Sequence, residues 1–291
     1  MSFRNERRNP QPPPATPKIG IALSCGGAKS LAHVGVIQIL EENGIQVDAI
    51  SGSSMGAYIG ALWAAGYGGA DLADLAAEID SRRKLWKLAD PIFLPRRGLV
   101  RGHKIRLLLE RSLGDLRFSD LDTDLSIIAT RLHSLERTVL RRGRLVDSIR
   151  ASCAMPGVFV PVELGDGHEY IDGGIVSPLP VRELIGVDKI IAVNTLPDAR
   201  NSEPKTTGLV GVTLDAITAA QMRLATQAGH RADLLLQPVW HEGHWRDYTN
   251  FKYYIELGRE AALERLDEIR ALTLPPTRPR SRGHFPLALS S

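Results

Sequence analysis

The chain has 291 residues, of which 43% are hydrophobic, and this is enough to bury a sizeable core in one large or two small domains. The net charge of +3 is unevenly placed, because residues 1–18 and residues 275–291 each carry +3 and the stretch between them carries −3. The positive charge therefore belongs to the two ends, and the sequence predicts no nucleic-acid partner for the central part.

Both ends are rich in proline and poor in large apolar residues, so they cannot bury enough surface to offset the entropy of ordering. We predict disordered basic tails at residues 1–18 and 275–291 and one folded domain over residues 19–274. No secretory signal and no apolar run of transmembrane length is visible, which predicts a cytoplasmic protein. Cys25 and Cys153 do not form the pattern of a disulfide framework.

The first elements predict a βαβ unit. Residues 18–23 form an apolar run typical of a strand, residues 24–30 a glycine-containing turn, and residues 30–42 a helix with apolar residues every third position. A second strand is predicted at residues 47–50. Because such units pair their strands in parallel, the turns that follow the two strands lie at one edge of the sheet, where open α/β sheets keep their sites.

The second strand leads into a Gly-x-Ser-x-Gly motif formed by Gly52, Ser54 and Gly56, and a helix is predicted at residues 57–65. Strand, motif and helix in this order are typical of a nucleophile elbow. The two glycines relieve crowding in the sharp turn. The Ser54 hydroxyl then lies at the N-terminus of a helix, where free N–H groups favour negative charge.

The first turn contains Gly26, Gly27 and Ala28, followed by Lys29. Its backbone N–H groups are candidates for stabilising an oxyanion that forms beside Ser54. An ordinary tight turn between strand and helix is the simpler interpretation. Nucleotide binding is disfavoured, because this turn lacks both glycines of a Walker A loop and does not match the dinucleotide fingerprint.

The stretch from residue 70 to residue 112 is predicted to be a helical, basic insertion. It contains ten lysines and arginines between residues 81 and 111, interleaved with apolar residues such as Phe93 and Leu94. This mixture suits contact with an anionic membrane surface. A solvated charged face over a core-facing apolar stripe explains the same pattern, and we keep both interpretations.

The remaining elements follow from short apolar runs and one long periodic stretch. Strands are predicted at residues 125–129, 137–140, 160–164, 168–171, 189–193 and 234–236. Helices are predicted at residues 70–79, 145–152, 209–228 and 253–272.

A serine nucleophile requires a base, and no histidine of the sequence lies in a distinctive turn. Asp172 ends a predicted strand and is followed by Gly173 and Gly174. A carboxylate in this position can accept the Ser54 proton directly, and partial burial would raise its pKa toward neutrality. Asp-Gly also caps ordinary turns, and from these three residues alone we favour that interpretation.

The three glycine-containing sites occur in the order and spacing of the patatin-like phospholipases, and the text around them resembles the bacterial branch of that family. The resembling text includes LAHVGVIQILEENGI, SMGAYIGALWAAG, ASCAMPGVF and YIDGGIVSPLPV. The resemblance covers residues 19–195 strongly. It implies a three-layer α/β/α fold, with a mostly parallel central sheet and a nucleophile elbow.

The resemblance also implies the chemistry. Ser54 is the nucleophile and Asp172 the general base of a catalytic dyad, and the substrate is a lipid acyl ester cleaved through an acyl-enzyme without cofactor or metal. Gly26, Gly27 and Ala28 line the oxyanion hole, and Lys29 takes the place of the usual arginine.

The first turn departs from the family pattern, because Cys25 and Ser30 replace glycines. A side chain at residue 25 is costly if that position needs a positive φ. Two alternatives to a phospholipase or lysophospholipase therefore stay open. One is a soluble esterase or thioesterase without a lipid role, and the other is a non-catalytic lipid-binding regulatory protein.

Overall fold

The computed structural model describes residues 16–79, 83–84, 90–94, 96–196, 208–238 and 247–275. The two predicted disordered tails lie outside these ranges, except for residues 16–18 and 275. Part of the predicted basic insertion, residues 80–82, 85–89 and 95, also lies outside them.

The described residues form an eight-stranded sheet with the order β5-β6-β3-β2-β1-β7-β8, and β4 pairs with β3. The pairs β1–β2, β1–β7, β2–β3 and β7–β8 are parallel, and β4, β5 and β6 are joined by antiparallel pairs. The prediction of a mostly parallel central sheet is confirmed. The strands are β1 (Ile19–Leu23), β2 (Ala49–Ser53), β3 (Asp124–Arg131), β4 (Arg137–Leu140), β5 (Val162–Glu163), β6 (Glu169–Asp172), β7 (Lys189–Val193) and β8 (Leu234–Leu236).

The helices cover both faces of this sheet. Those with α-helical geometry in the described part of the chain are α1 (Ala32–Glu42), α2 (Met55–Ala64), α3 (Gly69–Ala77), α4 (His103–Leu113), α5 (Leu145–Ser152), α6 (Leu209–Gly229), α7 (Phe251–Glu264) and α8 (Leu266–Leu272). Ile21, Leu23 and Val193 pack in one buried cluster with side chains of α1, α2 and α7. Ala22 and Ala192 pack on the other face with Met222 of α6. The architecture is the predicted three-layer α/β/α arrangement.

Strand register brings the three glycine-containing turns to one edge of the sheet. Leu23 at the end of β1 pairs with Gly52 of β2, and Ser53 at the end of β2 pairs with Ile128 of β3. One residue further along β3, Ala129 pairs with Asp172. Leu23, Ser53 and Asp172 therefore lie at neighbouring levels of the sheet, although β6 runs antiparallel to β3.

Several predicted boundaries differ from the structure, and three of these differences bear on the fold. Strand β2 continues to Ser53, because its backbone stays paired with both neighbouring strands through the glycine. A 3-10 turn over Gly27–Leu31 precedes α1. The predicted last helix is divided at Arg265, with φ −112° and ψ 15°, and α8 then lies beside the end of α1, where Arg270 donates to Asn43 Oδ1 at 2.9 Å.

The stretch predicted as a basic insertion contains α3 and α4. Helix α3 lies against α1, and Gln38 donates to the Gly69 carbonyl at 3.0 Å. Among the residues that the structure describes, no helix is long and apolar enough to span a bilayer.

Candidate active site

Ser54 occupies the sharp turn between β2 and α2. Ser53 is the last residue of the strand and Met55 the first of the helix, so one residue makes the reversal. Ser54 has φ 54° and ψ −124°, a conformation that residues with a Cβ adopt only under strain. Its side chain is half-buried and stands at the N-terminus of α2, where the helix dipole favours negative charge.

Two glycines make this turn sterically feasible. A Cβ on Gly52 would lie 2.6 Å from the Ala57 Cα, inside the helix that follows. A Cβ on Gly56 would lie 2.5 Å from the Ser24 carbonyl oxygen. The start of α2 thus packs directly on the backbone of the first turn, and this contact holds the elbow beside the Gly26–Ala28 turn.

Asp172 ends β6 and faces Ser54. The Ser54 hydroxyl donates a hydrogen bond of 2.6 Å to Asp172 Oδ2, and the Gly174 N–H donates one of 2.7 Å to Oδ1. The Asp172 side chain is buried, with 2% of the residue exposed. Burial raises its pKa to about 6, against the opposing effect of the two hydrogen bonds. The carboxyl group therefore titrates close to neutrality.

The backbone of Asp172 is fixed on both sides. Its N–H donates to the Ala154 carbonyl at 3.0 Å, and its carbonyl accepts from Thr130 Oγ1 at 2.8 Å. A Cβ on Gly173 would collide with the Ile128 carbonyl of β3, and one on Gly174 would lie 2.8 Å from Cys25 Sγ. The Asp172 turn is thus packed against the adjacent strand and against the first turn.

The first turn tolerates its two departures from the family pattern. Among the described residues other than glycine, only Ser54 and Leu135 have a positive φ, so Cys25 incurs no such strain. The left-handed conformation falls on Gly27, with φ 59°. Ser30 replaces the other glycine, and its hydroxyl lies 3.1 Å from Thr195 Oγ1. The Cys25 thiol is buried beside Gly174, which raises its pKa.

Buried hydroxyl groups and one imidazole form a hydrogen-bond network with the backbone of the first turn. Ser24 Oγ lies 3.0 Å from Thr195 Oγ1 and accepts the Thr195 N–H at 2.8 Å. His33 Nε2 lies 2.9 Å from the Ser24 carbonyl and donates to it. Burial lowers the His33 pKa to about 4, so the ring is neutral. Burial also lowers the pKa of Lys29, the residue at the position of the usual arginine.

Four residues that support the site were not predicted from the sequence: Ser152, Thr130, Thr195 and His33. They lie on other elements and no motif marks them. His33 offered one signal, because a histidine in the first turn of a buried helix lies directly behind the glycine turn.

Ser152 is the most direct of these supports, since its Oγ accepts the Ser54 N–H at 2.9 Å. We expect Ser152→Ala to lower the free energy of unfolding by about 1–3 kcal/mol, because the partly buried N–H loses its partner. Urea denaturation measures this, with Ser148→Ala on the same helix as the control. Equal stability of the two variants would contradict the assigned role.

Within the described ranges, no group of three or more His, Cys, Asp or Glu side chains is arranged to hold a metal ion.

Comparison with known proteins identifies the family. Residues 21–185, more than half of the chain, match the family model described as patatin-like phospholipase. The chain belongs to the patatin-like phospholipase family. All three glycine-containing turns of this patatin-like domain lie inside the matched range.

Curated relatives carry related names. An uncharacterized NTE family protein of Mycobacterium tuberculosis is 37% identical over 201 residues, which are 66% of this chain and 54% of the relative. Lysophospholipase NTE1 of Saccharomyces cerevisiae is 31% identical over 182 residues, 60% of this chain and 11% of that protein. The patatin-like chain thus spans about half the length of the mycobacterial relative and a small part of the yeast relative.

A solved structure supports the fold. The crystal structure of VipD from Legionella pneumophila superposes with a TM-score of 0.52 at 15% sequence identity, and the match covers 87% of this chain and 67% of that one.

Proposed function

We propose that this protein hydrolyses acyl esters of phospholipids or lysophospholipids, with Ser54 as nucleophile and Asp172 as general base. The observation that carries the proposal is the 2.6 Å hydrogen bond from the Ser54 hydroxyl to the buried Asp172 carboxylate. A hydroxyl is a weak nucleophile by itself, and an adjacent base within this distance activates it. The lipid substrate is supported by family membership and by the name of the yeast relative, a lysophospholipase.

In the acylation step, Ser54 Oγ attacks the ester carbonyl carbon and its proton passes to Asp172 Oδ2. The negative charge moves to the carbonyl oxygen of the tetrahedral intermediate. When the intermediate collapses, the bond to the alcohol oxygen breaks and Asp172 returns the proton to that oxygen. The products are an acyl ester on Ser54 and a free alcohol, which is the lyso-lipid when the substrate is a phospholipid and the glycerophosphodiester when it is a lysophospholipid.

In the deacylation step, water attacks the Ser54 ester while Asp172 accepts one of its protons. Collapse of the second intermediate returns the proton to Ser54 Oγ and releases the fatty acid. Asp172 thus alternates between carboxylate and carboxylic acid, which suits a group with a pKa of about 6.

The oxyanion of both intermediates is assigned to the N–H groups of Gly26, Gly27 and Ala28, with Lys29 supporting the turn. The contact of Gly56 with the Ser24 carbonyl supports this assignment, because it holds the turn next to the nucleophile. Removing one such donor in other hydrolases costs about 3–4 kcal/mol of transition-state stabilisation. Peripheral contact with an anionic membrane belongs to the same proposal, since ester lipids reside in bilayers.

The proposal is tested by measuring fatty acid release from phosphatidylcholine, lysophosphatidylcholine and soluble p-nitrophenyl butyrate. We expect turnover of at least one lipid ester, with the fatty acid trapped on Ser54 after rapid quenching. Turnover of the soluble ester alone would instead favour a soluble esterase. Folded protein that cleaves none of the three would favour a non-catalytic lipid-binding protein.

A further inference from the structure

Between α3 and α4, residues 90–94 and 96–101 form the two arms of a hairpin, called here the 90–101 hairpin, and backbone hydrogen bonds join these arms. The Ile92 N–H donates to the Leu99 carbonyl at 2.9 Å, and the Arg101 N–H donates to the Asp90 carbonyl at 3.2 Å. The Asp90 carboxylate also accepts the N–H groups of Gly102 and His103, both at 2.7 Å, at the start of α4. The arms are therefore a built element, and the described residues beyond the Ile92–Leu99 pair, 93–94 and 96–98, are called its tip.

The base of this hairpin is bonded to the segment that carries the active site. The N–H groups of Leu99 and Val100 donate to the Val158 carbonyl at 3.0 and 2.9 Å, and the Val160 N–H donates to the Val100 carbonyl at 3.1 Å. A few residues before Val158, the Ala154 carbonyl holds the Asp172 N–H. The hairpin is thus bonded to the same segment, residues 154–160, that holds the backbone of Asp172.

The tip presents two consecutive apolar side chains to solvent. Phe93 is 96% exposed and Leu94 is 73% exposed. Leu99 on the returning arm and Leu107 on the adjoining helix are also exposed, at 43% and 59%. Two large apolar side chains that are adjacent in the chain and both exposed, as Phe93 and Leu94 are, mark an interaction surface, because water contact with them is unfavourable.

Exposed cations lie on the hairpin and at the start of α4. Arg96 and Arg101 of the hairpin and Lys104 of α4 are all exposed. Arg97 forms a bidentate pair with Glu169 at 2.7 and 2.8 Å, which ties the tip to strand β6. Exposed apolar side chains next to exposed cations suit an anionic bilayer, where acyl chains lie beneath negatively charged phosphates.

We propose that the 90–101 hairpin is an interfacial anchor, in which Phe93 and Leu94 insert among the acyl chains of an anionic bilayer. Arg96, Arg101 and Lys104 then lie at the level of the lipid phosphates. This inference rests on the proposed function, because lipid esters reside in bilayers. It deepens that function by naming the element that brings the dyad to the membrane surface.

The anchor is tested by sedimentation with vesicles of phosphatidylcholine mixed with phosphatidylglycerol. Every protein carries Ser54→Ala so that hydrolysis cannot alter the vesicles. We expect Phe93→Ser combined with Leu94→Ser to lower the coefficient for partition of the protein from water onto vesicles at least about tenfold, because two apolar side chains no longer insert. Ile185→Ser with Leu135→Ser is the matched control, since these residues are 72% and 60% exposed and lie outside the hairpin, and it should bind fully.

The electrostatic part is tested with Arg96→Glu and Arg101→Glu together. We expect weaker binding to the mixed vesicles, and a loss of binding by the parent protein as salt is raised. Failure of the parent protein to bind anionic vesicles would overturn the proposal, and so would full binding by the Phe93 and Leu94 variant.

Turnover of p-nitrophenyl butyrate separates this inference from the proposed function. With Ser54 restored, the hairpin variants should cleave this soluble ester at the parent rate. If the hairpin variants bind vesicles less tightly but the parent protein cleaves no ester, the anchor is supported and the proposed function is contradicted. Full cleavage of lipid esters by hairpin variants that still bind vesicles would remove the anchor alone.

Discussion

Replacing Ser54 by Ala is expected to lower kcat for ester hydrolysis at least about 10⁴-fold, because no other group can form the acyl ester. The alanine side chain keeps the Cβ and the backbone conformation of the elbow, so the fold should persist. Fatty acid release measures the rate, and a fluorophosphonate probe, which reacts with activated serines, should label the parent protein and not the variant.

Ser53→Ala is the matched control. The Ser53 hydroxyl is buried next to the nucleophile and has no hydrogen-bond partner among the described residues. Its removal breaks no bond to the dyad, so labelling and turnover should be retained. Activity that survives in Ser54→Ala, or is lost equally in both variants, would contradict the assignment of Ser54.

Replacing Asp172 by Asn is expected to lower kcat about 10³–10⁴-fold, because an amide cannot accept the Ser54 proton. In the parent protein, kcat/KM should rise with pH and level off above a midpoint near pH 6, since the carboxylate is the active form and burial raises its pKa to about 6. A pH profile between pH 4.5 and pH 8 that is flat across this midpoint would contradict Asp172 as the base.

The same substitution should raise stability at high pH. The Asp172 pKa is about 6 in the folded protein, against an ordinary aspartate value of 3.8 in the unfolded chain, so the folded state binds this proton more tightly. Below pH 3.8 the carboxyl group is protonated in both states, so its burial lowers the stability of the fold by nothing. The free energy of unfolding then falls as the pH rises through 6. Above that pH the burial of the carboxylate costs about 3 kcal/mol.

An asparagine side chain carries no charge, so the Asp172→Asn variant should exceed the parent in free energy of unfolding by up to about 3 kcal/mol at high pH. The two proteins should converge as the pH approaches 4. Urea denaturation at both ends of the range measures this, and Asp122→Asn at a position away from the site controls for the loss of one charge. A variant less stable than the parent at high pH would show that the carboxylate stabilises the fold.

Much of the architecture could be predicted from local pattern. Short apolar runs followed by glycine turns indicate buried parallel strands, and the confirmed sheet includes β1, β7 and β8 close to their predicted bounds. The division of the last helix at Arg265 could not be predicted, because the apolar period continues through it. Its direction is set by contacts with the end of α1, more than 200 residues earlier in the chain.

The candidate site was also predictable only in part. Ser54 and Asp172 were identified from glycine spacing and from the family resemblance, because the sharp turns that carry them leave a local trace of residues without Cβ. The distance between them depends on the antiparallel pairing of β6 with β3, which no local pattern encodes. The Asp172 carboxylate caps the turn that follows it and also faces the serine, because Oδ1 accepts the Gly174 N–H and Oδ2 accepts the Ser54 hydroxyl.

The fold class, the family and the two turns that carry the candidate dyad follow from local patterns, since each depends on residues near one another in the chain. Three features became visible only in the folded protein: Cys25 carries no backbone strain, Ser152 and Thr130 hold the backbone of the candidate dyad, and Phe93 and Leu94 face solvent. Local patterns do not encode them, because burial, backbone conformation and long-range hydrogen bonds depend on which distant segments pack together.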